Sequence, residues 1–215
     1  MNKLTLSVIV LVLVVAVGFG IFYFYGAGVR DEAIVRQEEV NESWGNVQGA
    51  YQRRADLIGN LVETVKGAAK TETDILIGVT QARARMTTYT DSVGNVITQQ
   101  AAAIKNAKTP TEIQQGDVML MNTYRGFNGW MTENYPDLKS IQNFSMLQVE
   151  LEGTENRINT ERNRYNETVK DYNAYIRGTW RRMGLKMVAD DIDNFTVREM
   201  FEAQPGADVA PKVKF

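Results

Sequence analysis

The residue types available for chemistry are few, because the chain contains no histidine and no cysteine. Histidine is the commonest general base and a frequent metal ligand, and the cysteine thiolate acts as a nucleophile and a metal ligand. Their absence excludes Ser-His-Asp and Cys-His catalysis, disulfides, thiolate metal sites and lipid attachment through cysteine. An enzyme would have to work with Asp, Glu, Lys, Tyr or Ser alone. We therefore predict no catalytic residue, no cofactor and no metal site.

Four charged residues stand at or beside apolar positions of predicted helices. Glu155 and Arg162 fall on the apolar line of the last long helix, Arg83 falls on that of an earlier helix, and Arg54 lies beside it. A buried unpaired charge costs several kcal/mol, so such groups must pair or reach water. We predict that Glu155 bonds Arg54 or Arg83 across the bundle and sets the helix register. The alternative is that the interface between the helices is wide enough for these charged side chains to extend into solvent without pairing.

The apolar residues that carry these positions recur at steps of three and four, which is typical of long amphipathic helices. One such stripe runs from Val40 to Met86 and another from Leu138 to Ile176. The first stripe lapses at Thr71–Thr73, where either one helix ends and another begins or a single helix continues. Nothing in the chain shows the alternation of a β-strand. The sequence predicts an all-α, long-helix, antiparallel up-and-down four-helix bundle with a short irregular C-terminal tail.

A separate helix start is predicted between the two stripes. Thr109 stands at the cap position, Pro110 at the first helical position and Glu112 at the third. That helix is expected to end near Asn134, because Tyr135 precedes a proline and is disfavoured in the helical region.

The N-terminal run from Leu4 to Tyr25 contains 22 residues and no charge. At about 1.5 Å per residue it makes a helix of roughly 33 Å, enough to cross a hydrocarbon core of about 30 Å. Two other interpretations compete: a cleaved signal peptide, whose apolar core would be shorter, and a buried core helix, which would be apolar on one stripe rather than on all sides. We expect a single-pass anchor and a flexible joint at Gly26–Gly28. Lys3 on one side and Arg30 on the other give no clear orientation.

We expect three parts: residues 1–29 as anchor and joint, 30–177 as the bundle, and 178–215 as an extension and tail. Thr196 with Glu199 predicts the cap of one short helix in the tail. The acidic residues at 190, 191 and 193 are expected to form a solvated turn, since they lack the spacing of a calcium loop.

Two surfaces are candidates for contacts outside the chain. Gly45 and Gly49, beside Trp44, form a pair of small residues that would let two helices approach closely, or are two weak helix positions. The segment with Trp180, Arg181, Arg182 and Lys186 mixes aromatic and basic residues. It either lies on the lipid surface or packs on the end of the bundle.

Several segments in the same order resemble the LemA family. They are Tyr51–Gly67, Ala82–Arg85, Tyr135–Lys139, Leu151–Ile158, Tyr165-Asn166, Tyr172-Asn173 and Pro211–Phe215. The resemblance extends over nearly the whole chain, anchor included. The chain departs from the family pattern at Gly59, where relatives usually have proline, and over residues 178–195.

The resemblance implies a single-pass protein of the bacterial inner membrane with an up-and-down helical bundle and no known catalytic activity. We predict a non-catalytic scaffold or adaptor that acts by self-association and by contacts with membrane or envelope proteins. A membrane-shaping coat and a carboxylate-only enzyme are the alternatives. The net charge of −2 provides no basic surface for nucleic acid, so the expected partners are the bilayer, further copies of the chain and other proteins.

Overall fold

The computed structural model describes residues 3–71, 80–135, 142–190 and 193–202. Within these ranges the chain forms helices and no strand. The helices are α1 (Lys3–Thr71), α2 (Thr80–Asn106), α3 (Pro110–Asn134), α4 (Gln142–Arg177) and α5 (Thr179–Val188). The predicted all-α class is confirmed. The predicted break at Thr71–Thr73 is not tested, because residues 72–79 lie outside the described part of the chain.

Helix α1 contains the whole uncharged run. Its side chains from Leu6 to Phe19 are all exposed, as expected for a helix surrounded by lipid. In the described part of the chain, this is the one segment long and apolar enough to cross a membrane. The expected joint at Gly26–Gly28 is wrong as an interruption, because α1 is helical throughout. The physical reason is that Gly26 packs against Gly184 and Val188 of α5, which hold the helix at this point.

One compact unit combines the chain up to Ser43 with Tyr165–Met200. Tyr175 of α4 links its parts: its hydroxyl donates a hydrogen bond to the Val29 carbonyl, and the Arg36 guanidinium lies 4.8 Å from the centre of its ring. The buried apolar side chains of this unit are Val29, Ala33, Val40, Tyr165, Val169, Tyr172, Ile176 and Leu185.

Residues 193–200 of this unit are not helical, so the helix predicted from Thr196 and Glu199 is wrong. Side chains of α4 bond the backbone groups that such a helix would need. Asn173 accepts from the Arg198 N–H and donates to the Arg198 carbonyl, both at 2.9 Å. The Tyr165 hydroxyl donates to the Glu199 carbonyl.

The other compact unit combines Trp44–Arg164 with the residues from Phe201 onward. Its largest fully buried side chains come from all four long helices: Tyr51, Leu57, Ile58, Leu61, Met86, Ile104, Ile113, Leu120, Phe127, Met131 and Phe144. Helix α3 begins and ends as predicted. The Thr109 hydroxyl accepts from the Glu112 N–H, and Pro110 occupies the first turn. The Glu112 carboxylate in turn accepts from the Lys108 N–H at 2.7 Å.

Candidate functional site

The side chain of Arg54 lies at the centre of a buried polar cluster in the second unit. It projects from α1 and is 4% exposed. Its guanidinium donates to Asp117 of α3 at 2.8 Å, to the Thr154 hydroxyl of α4 at 3.1 Å, and to the Glu155 carboxylate of α4. Three helices are therefore joined through one side chain.

The two carboxylates of the cluster lie in different surroundings. The side chain of Asp117 is 13% exposed, whereas that of Glu155 is 61% exposed. Burial raises the pKa of Asp117 above its usual value, although the charge and hydrogen bond of Arg54 oppose that shift. One Asp117 oxygen, Oδ1, is buried and has no hydrogen-bond partner in the described part of the chain. An unpartnered buried acceptor makes Asp117 the costly member of the cluster and Arg54 its necessary partner.

A cavity of about 280 Å³ opens beside the cluster. Tyr51, Arg125 and Arg162 contribute to its wall together with Asp117 and Glu155. Burial raises the pKa of Tyr51 to about 12, so this phenol stays neutral at physiological pH. The wall thus combines cations and carboxylates, with a neutral hydroxyl.

The contacts of the cluster hold three helices together. A catalytic pair of acids needs one free carboxylate and one poised proton donor. Here Arg54 bonds both carboxylates. The arrangement resembles a register device, in which a paired buried charge favours one alignment of the packed helices.

The remaining charged residues predicted for this cluster lie elsewhere or outside the described part. Arg162 borders the cavity, but its guanidinium donates to the Glu202 carbonyl at 3.1 Å and lies 5.0 Å from the centre of the Phe201 ring. Arg83 belongs to α2, and its side chain lies outside the described part. The structure thus brings together Arg54 and Glu155 of the predicted set.

A comparison with protein-family models gives a match to the model described as the LemA family, over residues 43–215. The chain belongs to the LemA family. The matched range includes Arg54, Asp117 and Glu155, so the buried cluster lies within the family region. It begins at residue 43 and does not cover the anchor, to which the sequence resemblance had been extended. No curated protein matches the chain.

Sequence reasoning missed two members of the cluster in this LemA-family chain. Asp117 stands four residues after Ile113 and three before Leu120, so the apolar spacing of α3 itself contained the signal. Thr154, rather than Glu155, occupies the buried position of α4 and is 5% exposed. Its hydroxyl also donates to the Leu151 carbonyl at 2.6 Å, which satisfies the buried group.

The predicted association surface of the LemA-family chain lies on α1. Gly45 and Gly49 are one turn apart, and among the described residues no side chain or neighbouring helix lies within 4 Å of the place where a Cβ would stand. Trp44 differs from them, because its ring stacks on Phe201 at a centroid distance of 6.1 Å. Trp44 therefore packs against another residue of the same chain, whereas Gly45 and Gly49 are exposed to solvent.

The predicted membrane-surface residues lie on α5. Trp180, Arg181, Arg182 and Lys186 are all exposed. Arg181 lies with its guanidinium 4.4 Å from the centre of the Tyr175 ring, so part of the helix packs on α4. Arg30 of α1 bonds Asp193 and also Asp190, the latter at 3.0 Å. We expected a solvated acidic turn here, but Asp190 and Asp193 both pair with Arg30. Asp191 lies outside the described residues.

Proposed function

We propose that this protein is a non-catalytic scaffold of the bacterial envelope that self-associates through the α1 surface around Gly45 and Gly49. The observation that carries the proposal is that this bare surface lies on the same uninterrupted helix as the membrane-length uncharged run. Contacts with other membrane or envelope proteins would then be made by an assembly of copies rather than by a single chain.

The geometry of the glycine pair supports close helix contact. Both glycines are exposed and one turn apart, so a second helix could approach the α1 backbone without meeting a side chain at either position. Anchoring in one membrane raises the effective concentration of copies, so a weak contact becomes sufficient for assembly.

The buried cluster supports a structural role over catalysis. The chain lacks histidine and cysteine, and Arg54 already engages Asp117 and Glu155. A carboxylate-only enzyme would require acids that converge on a substrate with at least one of them free. The cavity wall beside Arg54 offers no such arrangement among the described residues.

A membrane-shaping coat is the second candidate function, favoured by the exposed aromatic and basic residues of α5. Vesicles carrying increasing densities of the purified protein test it by electron microscopy. Deformation that grows with density supports the coat. Vesicles that stay spherical at every density count against it.

The scaffold proposal is tested by the molar mass of the full-length protein in detergent, measured by light scattering. Replacing both Gly45 and Gly49 with leucine should reduce the mass toward that of a monomer. The matched control replaces Gly126 and Gly129 of α3 with leucine, because these glycines also have open space at the Cβ position. The control should keep the mass of the unmodified protein. Equal masses for all three proteins would contradict the proposed surface.

A further inference from the structure

Helix α5 is fixed to α1 by direct contact between two glycine backbones. A Cβ placed on Gly184 would lie 3.2 Å from Gly26 Cα, and one placed on Gly26 would lie 2.6 Å from Val188 Cγ2 and 3.2 Å from the Gly184 carbonyl oxygen. A larger residue at Gly26 would require the Val188 side chain to move and would crowd the α5 backbone at Gly184. The two helices therefore meet at Gly26 and Gly184, which mark their crossing point.

This crossing point defines the level of α5 relative to the membrane. Gly26 directly follows Tyr25, the last residue of the uncharged run. Arg30, one turn further along α1, bonds Asp190 and Asp193, which follow α5. Two independent attachments therefore hold α5 beside the segment of α1 that leaves the hydrocarbon.

The exposed side of α5 is itself divided into two strips. Its packed side contains Gly184 and Leu185, both buried. On the free side, Trp180 is 68% exposed and Met183 is 50% exposed, and Met187, one turn after Met183, is partly buried. Arg182 and Lys186, one turn apart and both exposed, form a basic strip next to this apolar one.

We propose that α5 is an interfacial helix whose apolar strip enters the headgroup layer of the bilayer that α1 spans, while its basic strip binds anionic headgroups. Large apolar side chains with adjacent cations are the pattern of helices that lie in a membrane interface. Tryptophan favours this level, and Lys and Arg near the surface are attracted to anionic lipid. The anchored position of α5 selects lipid over a protein partner as the occupant of this surface.

The test uses the full-length protein, in which an introduced cysteine is unique because the chain has none. A spin label at Met183→Cys, in bilayers containing phosphatidylglycerol, reports collisions with lipid-soluble oxygen and with a water-soluble nickel complex. The control is Met119→Cys on α3, at a side chain that is 59% exposed. We expect oxygen collisions to dominate at residue 183 and nickel collisions to dominate at residue 119.

Three results would overturn the proposal. Dominant nickel collisions at residue 183 would place α5 in water. Low access to both reagents with dipolar broadening would show that a second copy covers the surface. Low access without broadening would show that the chain's own residues cover it.

The basic strip is tested separately in the labelled protein by Arg182→Gln with Lys186→Gln. In anionic bilayers, the ratio of lipid-immersed to water-exposed label should fall about fivefold per cation removed. The control, Arg157→Gln with Lys170→Gln, removes two exposed cations of α4 and should leave the ratio unchanged. An equal fall in both variants would show a general effect of charge and would refute headgroup binding by this strip.

Discussion

Replacement of Arg54 by methionine should be one of the most destabilising single changes in the second unit. Methionine keeps most of the volume of the arginine stem but removes all three donated hydrogen bonds. Asp117, whose side chain is 13% exposed, would then lose the cation that bonds it, and Arg162 would act on it only through its charge. Breaking a buried pair by removing one partner costs about 3–5 kcal/mol of the free energy of unfolding. Glu155 adds little to this cost, because a largely exposed carboxylate is solvated by water.

The same structure provides a matched control and a rescue. Arg53, the preceding residue, pairs with Glu150, and their side chains are 55% and 48% exposed. Arg53→Met should therefore cost no more than about 1 kcal/mol. Combining Arg54→Met with Asp117→Leu removes both buried charges, so the double variant should recover most of the lost stability.

The assay is urea unfolding of the full-length protein in detergent, followed by the helical circular dichroism signal. The reasoning is refuted if Arg54→Met costs no more than Arg53→Met, because the buried cluster would then contribute nothing beyond a surface ion pair. A double variant less stable than Arg54→Met would also contradict it, since the unpaired Asp117 would not be the source of the loss.

Three further predictions concern the polar contacts of the helices. Because burial raises the pKa of Asp117, the stability that this residue contributes relative to Asp117→Asn should be fully present below about pH 3.8 and should be lost as pH rises through the raised folded-state pKa. Unfolding curves of both proteins across this range check the sign. A free energy of unfolding that rises with pH for the unmodified protein relative to Asp117→Asn contradicts it. Thr109→Ala removes the cap of α3 and should cost about 1 kcal/mol of unfolding free energy, whereas an unchanged value would show that Pro110 alone is sufficient. Asn173→Ala removes two hydrogen bonds to Arg198, so at about 1 kcal/mol each, trypsin should cleave after Arg198 roughly 30-fold faster; an unchanged rate would show that other contacts hold the segment.

The repeating apolar residues predicted most of the helical structure, because long stripes at steps of three and four are strong signals. The start of α3 was also predictable, since Thr109, Pro110 and Glu112 act through local hydrogen bonds and backbone restriction. Local information was sufficient wherever a helix depended on its own residues.

The errors arise where a distant part of the chain decides the outcome. Gly26–Gly28 has the composition of a joint, but α5 packs against Gly26 and the helix continues. Thr196 and Glu199 resemble a helix start, but side chains of α4 bond the backbone there. In the charge cluster, Glu155 was favoured over Thr154 because periodicity alone cannot separate neighbouring positions, and a hydroxyl that bonds its own helix is easily buried.

We propose, as the central claim, that the uncharged run of α1 takes part in assembly as well as in membrane attachment. The measurement that tests it most directly is the molar mass of the detergent-extracted full-length protein beside that of a soluble fragment beginning at Arg30. The account predicts a multimer for the full-length protein and no such multimer for the fragment. A monomeric full-length protein, or a fragment that forms the same oligomer, would contradict it.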